Sequence, residues 1–374
     1  MALAEPSAPR RKAVAEPRSR GAAPRATTPA SPVPRWSLTA IPTHVWVVGL
    51  VLLLMPVIAS DFVLSQILSW SLILGMIALS LMFLAGYGNM VSLVQMTVAG
   101  VAAYMTAIFG TSAIETISLG WPWWAAAPLA VLVAVVFGTL SGALAVRTEG
   151  IYTIMITLAI AAAMFYLVRQ NYTLFNGFSG LNQVRAPVFW GIDWRDPLPF
   201  YYLTLAFALA AYFGVIYVAR APFGLALQGV RDNARRMAAL GYNVTAHRIA
   251  AWAFASLIAG VAGVLLVWLN GQVSPGTIAV GPAIDVLIIA VVGGLAHPIG
   301  PFLGAILYVL LRTFALDVLV ALGLSGERFQ LLIGLGFLVV VFFSSDGLLG
   351  LWRRLRERRA ADPLTGAPQG EADG

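Results

Sequence analysis

The chain has 374 residues, 60% of them hydrophobic and only 10% charged, against about 25% charged in a soluble domain. Most of its length cannot face water, and a soluble globular fold is excluded. Cysteine is absent and the three histidines, His44, His247 and His297, are far apart in sequence. Disulfides, thiolate metal sites and spaced His ligand sets therefore have no residues to build them, and no metal is expected. The one lysine, Lys12, lies in the N-terminal tail, whereas a phosphate-binding P-loop needs a lysine inside a glycine-rich turn that opens a helix. No ATP-hydrolysing site and no cofactor is expected in this chain.

Residues 1–40 carry seven basic residues against Glu5 and Glu16, among Pro, Ala, Ser and Thr. Such a stretch cannot bury enough apolar area to offset its ordering entropy, so a disordered basic tail is expected. It does not read as a cleavable signal, because the first apolar run starts after position 40 and is too long for a signal core. Residues 41–348 then form a transmembrane domain, and 349–374 a second basic tail.

Within that domain, spanning helices are predicted over 44–60, 65–85, 91–109, 123–146, 151–169, 199–219, 249–269, 283–295, 301–321 and 328–345. Most approach the roughly 20 residues that cross a hydrocarbon core. The fold class expected is an all-α integral membrane protein of about ten helices. The third and eighth spans are the least regular, since Gly86, Gly88 and Gly100, and Gly293, Gly294, Pro298, Gly300, Pro301 and Gly304, crowd their neighbourhoods. They are expected to be broken or re-entrant, which the membrane interior allows only where protein or a water-filled cavity satisfies the backbone.

An even number of crossings places both termini on one side. That side then holds eighteen basic residues, including Arg147, Arg220, Arg231, Arg235, Arg236, Arg248 and those of both tails, against Arg169, Arg185 and Arg195 on the other. The asymmetry predicts cytoplasmic termini and a multi-pass protein of the cell inner (plasma) membrane.

Between the sixth and seventh spans, residues 220–248 read as soluble. From Phe223 to Leu240 the apolar residues Leu227, Val230, Ala234, Met237, Ala238 and Leu240 follow helical spacing, with Arg231, Asp232, Arg235 and Arg236 elsewhere. Gly241 reads as a left-handed helix stop. A short amphipathic helix of this kind either docks in a partner's groove or lies on lipid headgroups, and the residues alone weigh both equally.

The same segment resembles the coupling segment of branched-chain amino acid type ABC transporter permeases, approximately FGRAL-AIRENE-AAEALGINV. The matches are Phe223-Gly224, Ala226-Leu227, Arg231, Asn233, Ala238-Ala239-Leu240-Gly241 and Asn243-Val244, with Ala234 replacing a usual acidic residue. Gly86-Tyr87-Gly88, Ser92-Leu93 and Gly100 to Tyr104 resemble the family's GYAGQLSLGHAAFFGIGAY stretch, with Asn89 at a family Gly and Gln95 where His or Gln is usual. Gly150-Ile151-Tyr152 and Thr157-Leu158-Ala159 resemble GIYFAIVTLAF, and Gly177 with Gly180-Leu181 keeps part of a TGGANGL loop in which Phe175 and Asn176 replace Thr and Gly. Ser274-Pro275, Gly293-Gly294-Leu295, Gly300-Pro301 and Gly304-Ala305 resemble VSPESF and GGLGSLWGPVLGA, with Ala296 and His297 changed.

The resemblance implies a transport subunit, not an enzyme, carrying branched-chain amino acids or related small polar solutes. It implies as partners a second permease subunit, two ATP-binding cassette ATPases that use the ATP, an extracytoplasmic solute-binding protein and membrane lipid, and no nucleic acid. It places ATPase coupling on Arg231, Asp232, Asn233, Arg235, Ala239, Leu240 and Gly241. Candidates for the translocation pathway are Gly86, Tyr87, Asn89, Ser92, Gln95, Gly177, Gly293, Gly294, His297 and Gly300, because glycine lets helices approach and helix breaks expose backbone groups to a polar solute. Arg312 lies within the ninth span, where an ionised side chain costs about 2.5–3.5 kcal/mol. It is a gate or a structural charge, and Asp285 is its candidate partner. The alternative, a secondary transporter driven by an ion gradient, calls for paired acidic residues or proton relays near the midplane, of which the sequence offers few.

Overall fold

A computed structural model describes residues 54–56, 59–148, 150–189 and 191–321. The predicted span at 328–345, both tails and most of the span at 44–60 lie outside the described residues. Each of the eight predicted spans between them coincides with a helix. In chain order these are α1 Val63–Tyr87, α2 Gln95–Phe109, α3 Trp123–Ala145 and α4 Ile151–Gln170. After the four-residue α5, Tyr172–Phe175, come α6 Pro197–Arg220, α7 Pro222–Ala239, α8 Val244–Asn270, α9 Val280–Gly293 and α10 Gly300–Ala321. Among the described residues five helices are long and apolar enough to cross a membrane, α1, α3, α4, α6 and α8; α2, α9 and residues Gly300–Phe314 of α10 are shorter apolar helices.

The largest boundary difference is at α8, which starts at Val244 and not at 249 because the Asn243 Oδ1 accepts the Ala246 N–H at 3.0 Å and caps an extra turn. The irregularity expected in the third span sits at its start. Residues 89–94 are non-helical, and α2 begins only at Gln95.

α1 is the axis of the bundle. Its α-helical centre, Trp70–Met82, is flanked by π-helical turns, Val63–Ser69 and Phe83–Tyr87, and nearly all of its side chains are buried. On one side lies α8, and on the others α6, α9 and α10. α8 in turn packs against α2 and α3.

Small residues make these approaches possible. In lipid, helix association draws on close van der Waals packing, because the surrounding tails are as apolar as the side chains. α3 buries Ala126, Ala130, Ala134, Gly138 and Gly142, one every four residues along a single stripe. α8 runs antiparallel along that stripe: a Cβ at Gly142 would overlap the Trp252 indole, one at Gly138 the Ser256 hydroxyl, and Gly260 faces Ala134. On its other side, Gly263 lies so close to α2 that a Cβ there would overlap the Ala99 carbonyl.

The long connection between α4 and α6 is folded. β1, Leu181–Asn182, pairs antiparallel with β4, Gln272–Val273, just after α8, in the register Leu181↔Val273 and Asn182↔Gln272. β2, Val188–Phe189, pairs with β3, Ile192–Asp193. Buried Phe175 stands edge-on to Tyr104 of α2 at 5.4 Å between ring centroids. This end of the bundle carries Arg169, Arg185 and Arg195. The start of α8, the ends of α3 and α6, and all of α7 lie at the other end, with Arg147, Arg220, Arg231, Arg235, Arg236 and Arg248.

Gly263→Val should cost about 1–3 kcal/mol, as overpacking does, and lower the thermal midpoint of the detergent-solubilised protein. Gly281→Ala, where a Cβ meets nothing within 4 Å, should leave that midpoint unchanged.

Candidate functional site

At the basic end, α7 follows α6 after a single residue. Pro222 opens it at a position whose N–H has no helical partner. A side chain at Gly224 would overlap the Val218 carbonyl, so glycine permits the sharp reversal. Gln228 Nε2 then closes the corner, donating to the Ala219 carbonyl at 2.9 Å and the Gly224 carbonyl at 3.1 Å.

α7 is not one straight helix, as the spacing from Phe223 to Leu240 suggests. Asn233 leaves helical geometry, with φ −158° and ψ 89°. Its Oδ1 accepts the Arg236 N–H at 2.9 Å, so the asparagine caps a second, short helical segment. The physical reason is the habit of asparagine of competing with the backbone ladder for its own hydrogen bonds. The distal segment ends in a Schellman motif: the Tyr242 N–H reaches the Met237 carbonyl, the Gly241 N–H reaches Ala238, and Gly241 takes φ +90°.

The kink divides the apolar stripe. Leu227 and Val230, in the proximal half, are buried in the bundle, and Ala234 and Met237 are half-buried. Ala238, Ala239, Leu240 and Gly241 are exposed, Leu240 by 68%, and so are Asp232, Asn233, Arg235 and Arg236. One half of the helix is anchored while the other presents a free apolar tip with arginines beside it.

The anchor reaches the axis of the bundle through Arg231. Its Nη1 donates to the Gly86 carbonyl at 2.7 Å, and its Nε donates to Asp232 Oδ1 at 2.9 Å. Gly86 lies in the last turn of α1, where carbonyls have run out of intrahelical partners and the helix dipole favours a cation. The α9–α10 link meets the same residue, since a Cβ at Gly86 would stand 2.5 Å from the Leu295 carbonyl. Leu227 of α7 comes within 3.8 Å of where a Cβ of Gly88 would be.

The pathway candidates fall into three groups. Tyr87, Asn89, Ser92 and Gln95 follow Gly86 into the non-helical segment. Tyr87 is half-buried against Phe83, at 5.8 Å, and Asn89 is exposed with φ +53°. The buried Ser92 Oγ accepts the Val94 N–H at 3.2 Å. Gln95 is buried, its Oε1 accepts from the Ser80 hydroxyl at 3.2 Å, and its Nε2 has no partner among the described residues. Gly293, Gly294, His297 and Gly300 form the α9–α10 turn. Gly293 and Gly300 meet backbone to backbone, Gly294 has φ +104°, and His297 is exposed, its Nδ1 accepting the Ile299 N–H at 3.3 Å. Gly177 is separate, at the opposite end beneath the Tyr172 ring.

Sequence reasoning missed two groups. Thr157 of α4 is buried and its Oγ1 accepts the Leu93 N–H at 3.2 Å, tying the non-helical segment to α4. The signal was the resemblance over Thr157-Leu158-Ala159, to which no role was attached. The second is Tyr308 of α10, which is buried one helical turn before the exposed Arg312. A separate cleft of about 670 Å³ between α3, α6 and α8 contains none of these residues. Trp123, Trp124, Trp194 and Trp268 line it with aliphatic side chains, a lining that suits acyl chains.

The chain is similar to known membrane transport proteins. The family model described as branched-chain amino acid transport system / permease component matches residues 63–341. The high-affinity branched-chain amino acid transport system permease protein LivM of Salmonella typhimurium is 25% identical over 257 residues, which cover 63% of this chain and 59% of the relative. LivM of Escherichia coli gives the same identity and coverage. The probable branched-chain amino acid transport permease protein LivM of Methanocaldococcus jannaschii is 24% identical over 233 residues, covering 59% of this chain and 67% of the relative. The match thus spans about 59% of the length of the first two relatives. No solved structure matches.

Two departures from the family pattern have a conformational explanation. Asn89 and Asn176 stand where the pattern has glycine, and both are left-handed, with φ +53° and +57°, a region that asparagine tolerates better than most residues.

Arg231→Gln should free the Gly86 carbonyl and loosen the end of α1 by about 1 kcal/mol, read as roughly fivefold faster amide hydrogen exchange over residues 83–90. Exchange in β1 and β4, at the other end, should not change.

Proposed function

We propose, from the premise that this chain belongs to the branched-chain amino acid transport system permease family, that it is the membrane permease subunit of an ATP-driven importer whose ATPases are separate proteins. Its cargo is a branched-chain amino acid or a related small polar solute, in keeping with the names of its LivM relatives. It works with a second permease subunit, two ATP-binding cassette ATPases and an extracytoplasmic solute-binding protein. The basic end of the bundle faces the cytoplasm, by the rule that arginine-rich loops stay inside.

The observation that carries this reading is the division of α7 at Asn233. A free tip ending at Leu240-Gly241 is joined to a proximal half whose Arg231 holds the Gly86 carbonyl. A helix lying on headgroups would turn its whole apolar stripe to lipid. Here Leu227 and Val230 are buried in the bundle, leaving Leu240 for a partner's groove. Displacement of the tip by an ATPase reaches Arg231 and, through Gly86, both the end of α1 and the α9–α10 link. The non-helical segment 89–94 and the Gly293–Gly300 turn, which adjoin those points, are where the pathway would respond.

Changing Leu240 and Gly241 together to Asp should abolish stoichiometric co-purification of the ATPase subunits while the permease remains folded by circular dichroism. Retention of the ATPases at wild-type stoichiometry would count against docking through this tip. The purified chain alone should hydrolyse no ATP.

A further inference from the structure

Short segments close the end of the bundle that carries Arg169, Arg185 and Arg195. Residues 172–184, between α4 and α6, and residues 271–279, between α8 and α9, fold together into one plug. β1 pairs with β4, the Val184 N–H donates to the Gly271 carbonyl at 2.9 Å, and Asn176 Nδ2 donates to the Gly180 carbonyl at 2.7 Å. A Cβ at Gly180 would overlap the Val273 carbonyl, so the two segments meet backbone to backbone.

The plug rests on one stripe of α2. Thr97, Gly100, Val101 and Tyr104 are spaced three or four residues apart and share a helix face. Phe175 stands edge-on to Tyr104 at 5.4 Å between ring centroids, and a Cβ at Gly100 would overlap the Ile278 side chain. Phe175 and Ile278 are both buried. Among the described residues no hydrogen bond joins the plug to α2; the Ala113 N–H, in the link beyond α2, donates to the Asn182 carbonyl at 2.9 Å. The plug is thus bonded within itself and to that link, and lies on α2 by side-chain packing alone.

Two polar groups on the stripe have nothing to bond. Thr97 Oγ1 and the Tyr104 hydroxyl are fully buried and have no partner among the described residues. A buried hydroxyl left unpaired costs free energy, and native folds keep few of them without a reason. Ser256 Oγ and Trp252 Nε1 are also unpaired, but they lie against Gly138 and Gly142 of α3, a spanning helix. Thr97 and Tyr104 are instead on the face closed by two short connections. A hydroxyl both donates and accepts, so each can serve the carboxylate or the ammonium group of a zwitterion.

We propose that this stripe of α2 lines the solute pathway, that Phe175 and Ile278 close it, and that displacement of the plug offers the Thr97 and Tyr104 hydroxyls to the polar head of the passing solute. The proposal rests on the importer reading above and adds the residues that close the pathway and those that touch cargo. Gly177, a pathway candidate in the sequence, takes its place in the plug.

The chain contains no cysteine, so Thr97→Cys places a single thiol in the stripe. The assembled complex, with its ATPases and binding protein in lipid nanodiscs, is treated with the water-soluble reagent sulfonatoethyl methanethiosulfonate. Label on this subunit is read by mass, with the unsubstituted complex as control. The thiol should be protected at rest and react about tenfold faster during ATP hydrolysis with L-leucine present, the change expected when a state populated to about 10% becomes the main one. Adding Ile278→Ala should raise the resting rate. A thiol that never reacts, one that reacts equally at rest and in turnover, or a resting rate indifferent to Ile278→Ala overturns the proposal. If Thr97→Cys fails to assemble, Val101→Cys, one turn along the same stripe, is read in the same way.

Tyr104→Phe tests the contact with cargo. In proteoliposomes L-leucine uptake should fall about fivefold, as for one lost hydrogen bond. The thermal midpoint should not fall, because the hydroxyl has no partner in the closed fold. Unchanged uptake would overturn the proposal. An unsubstituted complex that hydrolyses ATP without moving leucine would instead refute the importer reading for this cargo, and labelling at position 97 would still decide whether the plug opens.

Discussion

The Gly86 carbonyl needs a donor that its own helix cannot supply, and Arg231, 145 residues further along the chain, provides it. Three elements meet because of that requirement. α1 ends there in a π-helical turn, the α9–α10 link approaches within reach of any Cβ at Gly86, and the proximal half of α7 is held against both. A lysine could neutralise the helix end, but the fork of a guanidinium can serve Gly86 and Asp232 at once, with Nη1 on one and Nε on the other. The arginine is thus both a cap for the central helix and a fastening for α7 at the basic end, so a force applied to α7 arrives at the axis of the bundle and not at its periphery.

Glycine has two different employments in this fold. Along α3 and α8 it removes side chains so that one helix's side chains can pack onto the other's backbone, as at Gly142 under Trp252, Gly138 under Ser256 and Gly260 against the Ala134 Cβ. Around Gly86 and Gly293 to Gly300 it accompanies changes of chain direction, where backbone groups leave the regular ladder. Gly293 and Gly300 touch each other, so what they contribute is a tight turn, while Ser92, Gln95 and Thr157 supply polar groups in and beside the segment 89–94.

Much of this was legible in sequence because a membrane imposes long apolar runs that few other folds need. The predicted helices from 65 to 321 lie within five residues of the bounds seen among the described residues, and Gly241 reads as a helix stop from the glycine alone. What escaped was whatever depends on distant partners. The spacing from Phe223 to Leu240 is helical throughout, and nothing local to it says that Leu227 and Val230 go inward while Leu240 stays out; that division follows from the shape of the bundle against α7. The kink at Asn233 was readable in principle, since asparagine followed three residues on by a free N–H is a cap signal, but the apolar periodicity around it argued for continuity. The Arg231–Gly86 bond and the Thr157–Leu93 bond join residues with no pattern linking them. Asp285 and Arg312 are paired on charge alone.

In the proposed importer, Arg231 carries work from the ATPases to α1. The most direct measurement is the number of solute molecules taken up per ATP hydrolysed by the reconstituted complex bearing Arg231→Gln. Hydrolysis should continue while uptake per ATP falls about tenfold, as expected for a lost charge-assisted contact on the transmission route. An unchanged ratio of uptake to hydrolysis would contradict it.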